Sequence, residues 1–234
     1  MKDELAKVKN LRRLSQAYEA LKLRDKSVPG MGLVSGFTGS GKTRSIGWLV
    51  EQASGVYCRA NATWSVSAML GSISSELGVA PQFRNYKMLG NVAEWFGAAQ
   101  RPLFVDECDY LLRDLRMVEA LRDIHDLSGV PVILIGMEGI EKKLALRLQL
   151  TRRISQFVDF QPLDMEDARV LADTVSEVEI ANDLLTKIHQ EAKGGVGLMI
   201  VGLARVEALA KTQQWEGISA SQWGQRKLFL TKAG

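Results

Sequence analysis

The stretch GFTGSGKT, residues 36–43, follows the apolar run MGLVS and sets three glycines, a lysine and a threonine within eight positions. Such a composition wastes both helix and strand propensity, so the bare backbone itself must serve a purpose. The stretch fits G-x-x-x-x-G-K-[ST] and lies between a run that reads as a strand and a segment that reads as a helix. The glycines let successive N–H groups across Gly36, Phe37, Thr38, Gly39, Ser40, Gly41, Lys42, Thr43 and Arg44 curl around phosphate oxygens, where a Cβ would clash. Lys42 would reach the β- and γ-phosphates of ATP, and the Thr43 hydroxyl would ligate Mg²⁺. The helix opening near Lys42 adds its positive end. A chance match in a chain this long is about a 1% event, so a nucleotide site is the reading.

The chain is long enough, at 234 residues, for one large domain or one domain with a small satellite. A hydrophobic fraction of 46% and a charged fraction of 24% suit a soluble globular protein. No run approaches a membrane span, and MKDELAKVKNLRRL at the N-terminus lacks the apolar core of a secretory signal. Cys58 and Cys108 lack metal-ligand spacing and read as reduced, buried residues of a cytoplasmic protein. A net charge of +3 is too small to imply a polyanion by itself.

Five short apolar runs punctuate the chain at 31–36, 55–60, 102–107, 131–136 and 155–163. Their continuous apolarity suits strands buried on both faces of a parallel sheet. Helical stretches separate them. The clearest places Leu111, Leu112, Leu115, Val118, Leu121 and Ile124 on one face. This rhythm predicts a doubly wound α/β fold with five parallel strands flanked by helices. Before it, residues 3–23 are helical in period, and residues 1–30 hold eight Lys/Arg against four Asp/Glu. After Pro162 the strand signals stop. Asp164 with Asp167 opens one helix, Asn182 caps a second ending near Gly194, and a third runs from about Val196 to Thr212. The expected organisation is an N-terminal basic helix and linker over 1–30, an α/β core over 31–163 and a helical subdomain with a C-terminal extension over 164–234.

LFVDE, residues 103–107, is an apolar strand ending in two carboxylates. Asp106 would hold the Mg²⁺ shell at the strand's C-terminal end, where open α/β sheets bind ligands. Glu107 could polarise the attacking water as general base. Together with the loop upstream, the pair favours hydrolysis over binding alone.

With these motifs the chain resembles the AAA+ ATPases, in which a helical lid follows five strands. VDECDYL, VPVILIGMEGI and LQLTRRISQFVDFQPLD are further similar to the DNA-transposition ATPases, the group of the Mu-like phage B protein, TniB and TnsC. That resemblance covers most of residues 10–210. It implies a cytoplasmic protein of a bacterial host cell that binds duplex DNA without sequence preference. It further implies ATP-dependent self-assembly into an oligomer or filament, target selection and recruitment of a transposase. It also implies an arginine before the fifth strand that reaches a neighbour's γ-phosphate, for which Arg153 and then Arg152 are candidates. In the family, loops between the first helix and the DE strand face DNA; here they carry Arg59, Asn61, Thr63, Arg84, Asn85 and Lys87. The chain departs from the family pattern in two places. Met137 and Glu138 stand where a polar sensor is usual, and Gly197 or Met199 stands where the lid carries an arginine, with Arg205 two turns on. The alternative reading is a helicase-loader-like or secretion-associated AAA+ ATPase acting on a protein partner.

Overall fold

The computed structural model describes residues 1–145 and 148–229; the end of the expected C-terminal extension, 230–234, lies outside the described residues. The five apolar runs are strands: β1 Met31–Gly36, β2 Val56–Arg59, β3 Leu103–Asp106, β4 Val132–Ile135 and β5 Ile154–Phe160. They form one parallel sheet in the order β2-β3-β4-β1-β5. Every residue of β1 and β4 is buried, whereas β5 at the edge alternates buried and exposed positions. Central strands covered on both faces need unbroken apolarity, and an edge strand does not. The register sets Met31 opposite Val132 and Arg59 opposite Asp106.

Helix α1 Lys9–Lys22 precedes the strands, and between them run α2 Lys42–Gln52, α3 Val66–Glu76, α4 Asn85–Ala99, α5 Leu115–Ser128, α6 Ile140–Ala145 and α7 Leu148–Thr151. The helix expected through Leu111 to Ile124 is broken. A 3₁₀ turn covers Cys108–Arg113, and α5 starts afresh after Asp114, whose carboxylate accepts the Arg116 N–H. A capping oxygen offers the backbone a local partner and ends the preceding turn. Likewise α1 begins at Lys9 rather than near residue 3.

The chain divides into two compact units. One comprises residues 13–38 and 46–159 and holds most of the sheet. Its core gathers Leu33, Ile73, Phe96, Val105, Leu121 and Leu134, all nearly or fully buried. On the sheet's other side the Tyr18 ring of α1 lies 6.3 Å from that of Phe104. Cys58 and Cys108 are free and buried in this unit.

The other unit comprises 1–12, 39–45 and the described residues from 160 onward. Its elements include α8 Met165–Val175, β6 Glu179–Ile180, α9 Asn182–Ala192, α10 Val196–Thr212, β7 Gly217–Ile218 and α11 Ala220–Trp223. Asp164 caps α8 as expected, accepting the Asp167 N–H at 2.9 Å. Asn182 is the first residue of α9 rather than its cap, which is Ala181. Where strand signals were expected to stop, β6 and β7 pair in parallel. Two residues each are too few to show a period. The Lys9 N–H donates to Asp167 at 2.9 Å and the Asn10 amide to the Gln161 carbonyl at 2.7 Å, tying the first residues to this unit. No helix among the described residues is long and apolar enough to cross a membrane.

His125, buried on α5, fastens the start of β1: its Nε2 accepts the Gly30 N–H at 3.3 Å and its Nδ1 donates to the Val130 carbonyl at 2.7 Å. The bond from Gly30 requires neutral imidazole, since a protonated Nε2 cannot accept. Burial pushes its pKa below the ordinary 6.5, outweighing the bond to Val130. The unfolded chain therefore takes up this proton first, so the contribution is whole above pH 6.5 and declines as pH falls below it. Between about pH 8 and about pH 5.5 the melting temperature should fall, and less so in His125→Gln, as followed by circular dichroism.

Candidate functional site

The phosphate loop begins where β1 runs out of paired backbone. Gly39 and Gly41 have φ of 86° and 89°, a region that side chains with a Cβ rarely adopt. A Cβ on Gly41 would also stand 3.3 Å from Val196. Among the described residues the N–H groups of Gly39, Ser40 and Gly41 donate to no carbonyl, as a phosphate cradle requires. α2 then opens at Lys42 with no acidic residue in its first turn, so its positive end is not neutralised from within. These features fit the phosphates of a nucleotide. Lys42 Nζ lies 3.5 Å from the buried Ser40 hydroxyl, and Thr43 is exposed. Arg44 is held by the Asp3 carboxylate and, at 3.2 Å, by the Glu4 carbonyl.

Within the same unit the lid helix α10 meets this loop. The Gly197 N–H donates to the Gly39 carbonyl at 3.0 Å. Arg205, further along α10, donates to the Leu228 carbonyl at 3.0 Å. An apolar cavity of about 40 Å³ is lined by Leu5, Val8, Phe160, Leu163, Val196 and Ile200 beside Gly41.

In the sheet unit, Gly36 and Asp106 close the same edge of the sheet with β4 between their strands. Asp106 is held from two sides. Its Oδ2 accepts the Tyr57 hydroxyl at 2.8 Å, and its Oδ1 accepts the Glu107 N–H at 2.7 Å. Burial, and then the bond to the Asp106 carboxylate, pushes the Tyr57 phenol well above its ordinary range, so Tyr57 stays a donor. Glu107 adopts φ 52° and ψ 37°, a left-handed conformation costly to a residue with a Cβ. That corner turns its carboxylate onto Arg59, whose Nε donates at 3.1 Å while Nη2 makes a second, closer contact. The bond to Glu107 raises the Arg59 pKa above its ordinary value. The residue expected to face DNA and the expected general base are thus partners.

The remaining expected residues are dispersed. Asn61 accepts from the backbone N–H and hydroxyl of Thr63, closing a turn before α3. Arg84 precedes α4 and Lys87 lies in its first turn; both are exposed, and so are Phe83 and Tyr86 beside them, Phe83 completely. Arg153 pairs with Asp126 at 3.3 Å, whereas Arg152 is exposed with no ion pair among the described residues. Past β4, Met137 is exposed and its N–H donates to Asp109 at 2.7 Å, so that the 3₁₀ turn after Glu107 is tied to the end of β4. Asp109, Tyr57 and Phe83 were missed in the sequence. Asp109 alone left a sign there, as a third acid in VDECD.

A family model described as an AAA domain matches residues 24–144, more than half of the chain. The chain belongs to the AAA-domain family. Membership implies ATP as the nucleotide, usually with Mg²⁺, on an architecture typical of ATP hydrolysis. No curated protein sequence matches this AAA domain. Solved structures share its fold at low identity. The Aeropyrum pernix ORC2 protein, solved as ADPNP–ADP complexes, has a TM-score of 0.71 at 13% identity over 95% of this chain and 68% of its own. The Aeropyrum pernix ORC1 protein in complex with DNA has 0.58 at 16%, over 93% and 63%. The Thermotoga maritima RuvB Holliday junction branch migration motor has 0.59 at 18%, over 91% and 65%. The AAA domain thus spans about two thirds of the length of these proteins.

With Glu107 as general base, Glu107→Gln should still bind a fluorescent ATP analogue while phosphate release slows by about 10²–10⁴-fold. Undiminished turnover would assign the base elsewhere.

Proposed function

We propose that this AAA domain hydrolyses ATP, assembles with copies of itself, and loads onto duplex DNA without sequence preference. There it acts on a protein partner in the manner of a helicase loader. The observation that carries the proposal is the pairing of Arg59 with Glu107. A carboxylate oxygen already accepting from a guanidinium has lone pairs occupied and is held in one orientation, so it is a restrained base. A DNA phosphate competes for the same guanidinium. Binding of DNA would therefore release Glu107 to take the proton of the attacking water, which makes turnover conditional on loading.

The rest of the machinery follows from the chain's own groups. The N–H groups of Gly39, Ser40 and Gly41, with Lys42, would orient the phosphates. Thr43 and Asp106 would hold Mg²⁺, which when bound offsets charge on the phosphate oxygens. Tyr57 fixes the Asp106 carboxylate for that task. The exposed Arg152 is the cation available to a neighbouring subunit's nucleotide, because Arg153 is occupied by Asp126. Phe83 and Tyr86 among Arg84 and Lys87 combine flat apolar groups with cations, a composition suited to nucleic acid.

The likeness to a DNA-bound ORC1 protein and to a branch migration motor supports the DNA and assembly parts of this reading. Target selection for a transposase shares those parts, but its support is the sequence resemblance alone. The loader reading is therefore preferred.

The test is fluorescence polarisation of a labelled random-sequence duplex with ATP, ADP or no nucleotide across a salt series. Binding should need ATP and weaken steeply with salt. In Arg59→Ala, DNA-free turnover should rise by up to about fivefold, the modest effect of removing one exposed pair. DNA should then stimulate it no further. Binding indifferent to nucleotide, or an Arg59→Ala chain that DNA still stimulates fully, would overturn the proposal.

A further inference from the structure

The opposite edge of the sheet, where β2, β3 and β4 begin, carries a cleft of about 570 Å³. It lies wholly within the sheet unit, at the far end of the strands from Gly36 and Asp106. Ser54, Pro102 and Pro131, just before those strands, form part of its lining. Its size is that of a small-molecule site, and neither the phosphate loop nor the acidic strand end contributes to it.

Its chemistry is that of an anion receptor with flat walls. Lys22, Arg24 and Lys26 line it against a single carboxylate, Glu19. Lys22 and Lys26 are exposed and have no ion pair among the described residues. Arg24 donates Nη1 to the Leu21 carbonyl at 2.7 Å and Nη2 to the Gly129 carbonyl at 2.6 Å. Its Nε is buried without a partner. Carbonyls fix this guanidinium but leave its charge uncancelled, and burial pushes its pKa below the ordinary value. An anion in the cleft would offset that desolvation. The aromatic walls come from two helices: Tyr18 on α1, its ring buried, and the half-buried Trp48 on α2. Neither the Tyr18 hydroxyl nor the Trp48 indole N–H has a protein partner among the described residues. Flat faces with free donors beside cations accept a stacked base and its phosphate together.

We propose that this cleft is a second nucleotide-unit site, taking a base and its phosphate from a free nucleoside monophosphate or from a single strand of nucleic acid. It stands apart from the loader reading and survives that reading's failure. The test uses the full chain carrying Lys42→Ala, so that the phosphate loop does not compete, with AMP and a fluorescein-labelled oligo-dT as probes. At least one probe should bind and quench tryptophan fluorescence. The quench should vanish on adding Trp48→Phe, and affinity should fall about tenfold on adding Lys22→Glu with Lys26→Glu. AMP binding identifies the free nucleotide as the source; binding of the oligonucleotide alone identifies the single strand. The lysine substitutions in the otherwise unaltered chain should leave DNA-free ATP turnover unchanged, because both side chains are exposed and far from Glu107. Failure of both probes to bind, or binding undiminished by either set of changes, would overturn the assignment.

Discussion

A strand buried on both faces must pair each backbone group along its length, and can release free N–H groups only past its last residue. β1 is such a strand, buried at all six positions. The N–H groups of Gly39, Ser40 and Gly41, which follow it in the chain, donate to no carbonyl among the described residues. The same constraint brings β3 to an end at Asp106, since an apolar strand between apolar neighbours can turn polar only at its edge. The polar end of β3 and the free donors that follow β1 in the chain are thus both consequences of strands buried on both sides.

The acidic half shows how little charge the fold leaves unassigned. Asp106 is fixed by a phenol and by the N–H of the residue after it, and Glu107 by a guanidinium one strand away. Fixing a carboxylate by neutral donors keeps it ready for a metal, whereas fixing one by a cation restrains it. Adjacent acids in one dipeptide thereby receive opposite treatment.

Local chemistry was legible in the sequence. The glycine spacing of 36–43 and the paired acids of 106–107 each carry their purpose within one short window. The central strands β3, β4 and β1 were legible because burial on both faces leaves unbroken apolar runs. What was not legible depends on register or on exposure. Arg59 meets Glu107 only because β2 and β3 run parallel with Arg59 opposite Asp106, a match between segments 48 positions apart. Phe83 is fully exposed, for which its apolar side chain gives no sign in the sequence. The break at Asp114 hides inside a good helical period, since one capping carboxylate outweighs the pattern around it. The bond from Gly197 to Gly39 spans most of the chain, so no window could indicate that the phosphate loop belongs with the lid.

The left-handed backbone at Glu107 sets durability against work. A residue with a Cβ pays roughly 1 kcal/mol to sit there, a penalty that glycine would escape. Selection in the laboratory for heat resistance alone would therefore drift toward glycine at this corner and leave Arg59 without its carboxylate. Thermal tolerance and the tie between two strand ends are opposed at a single pair of torsion angles.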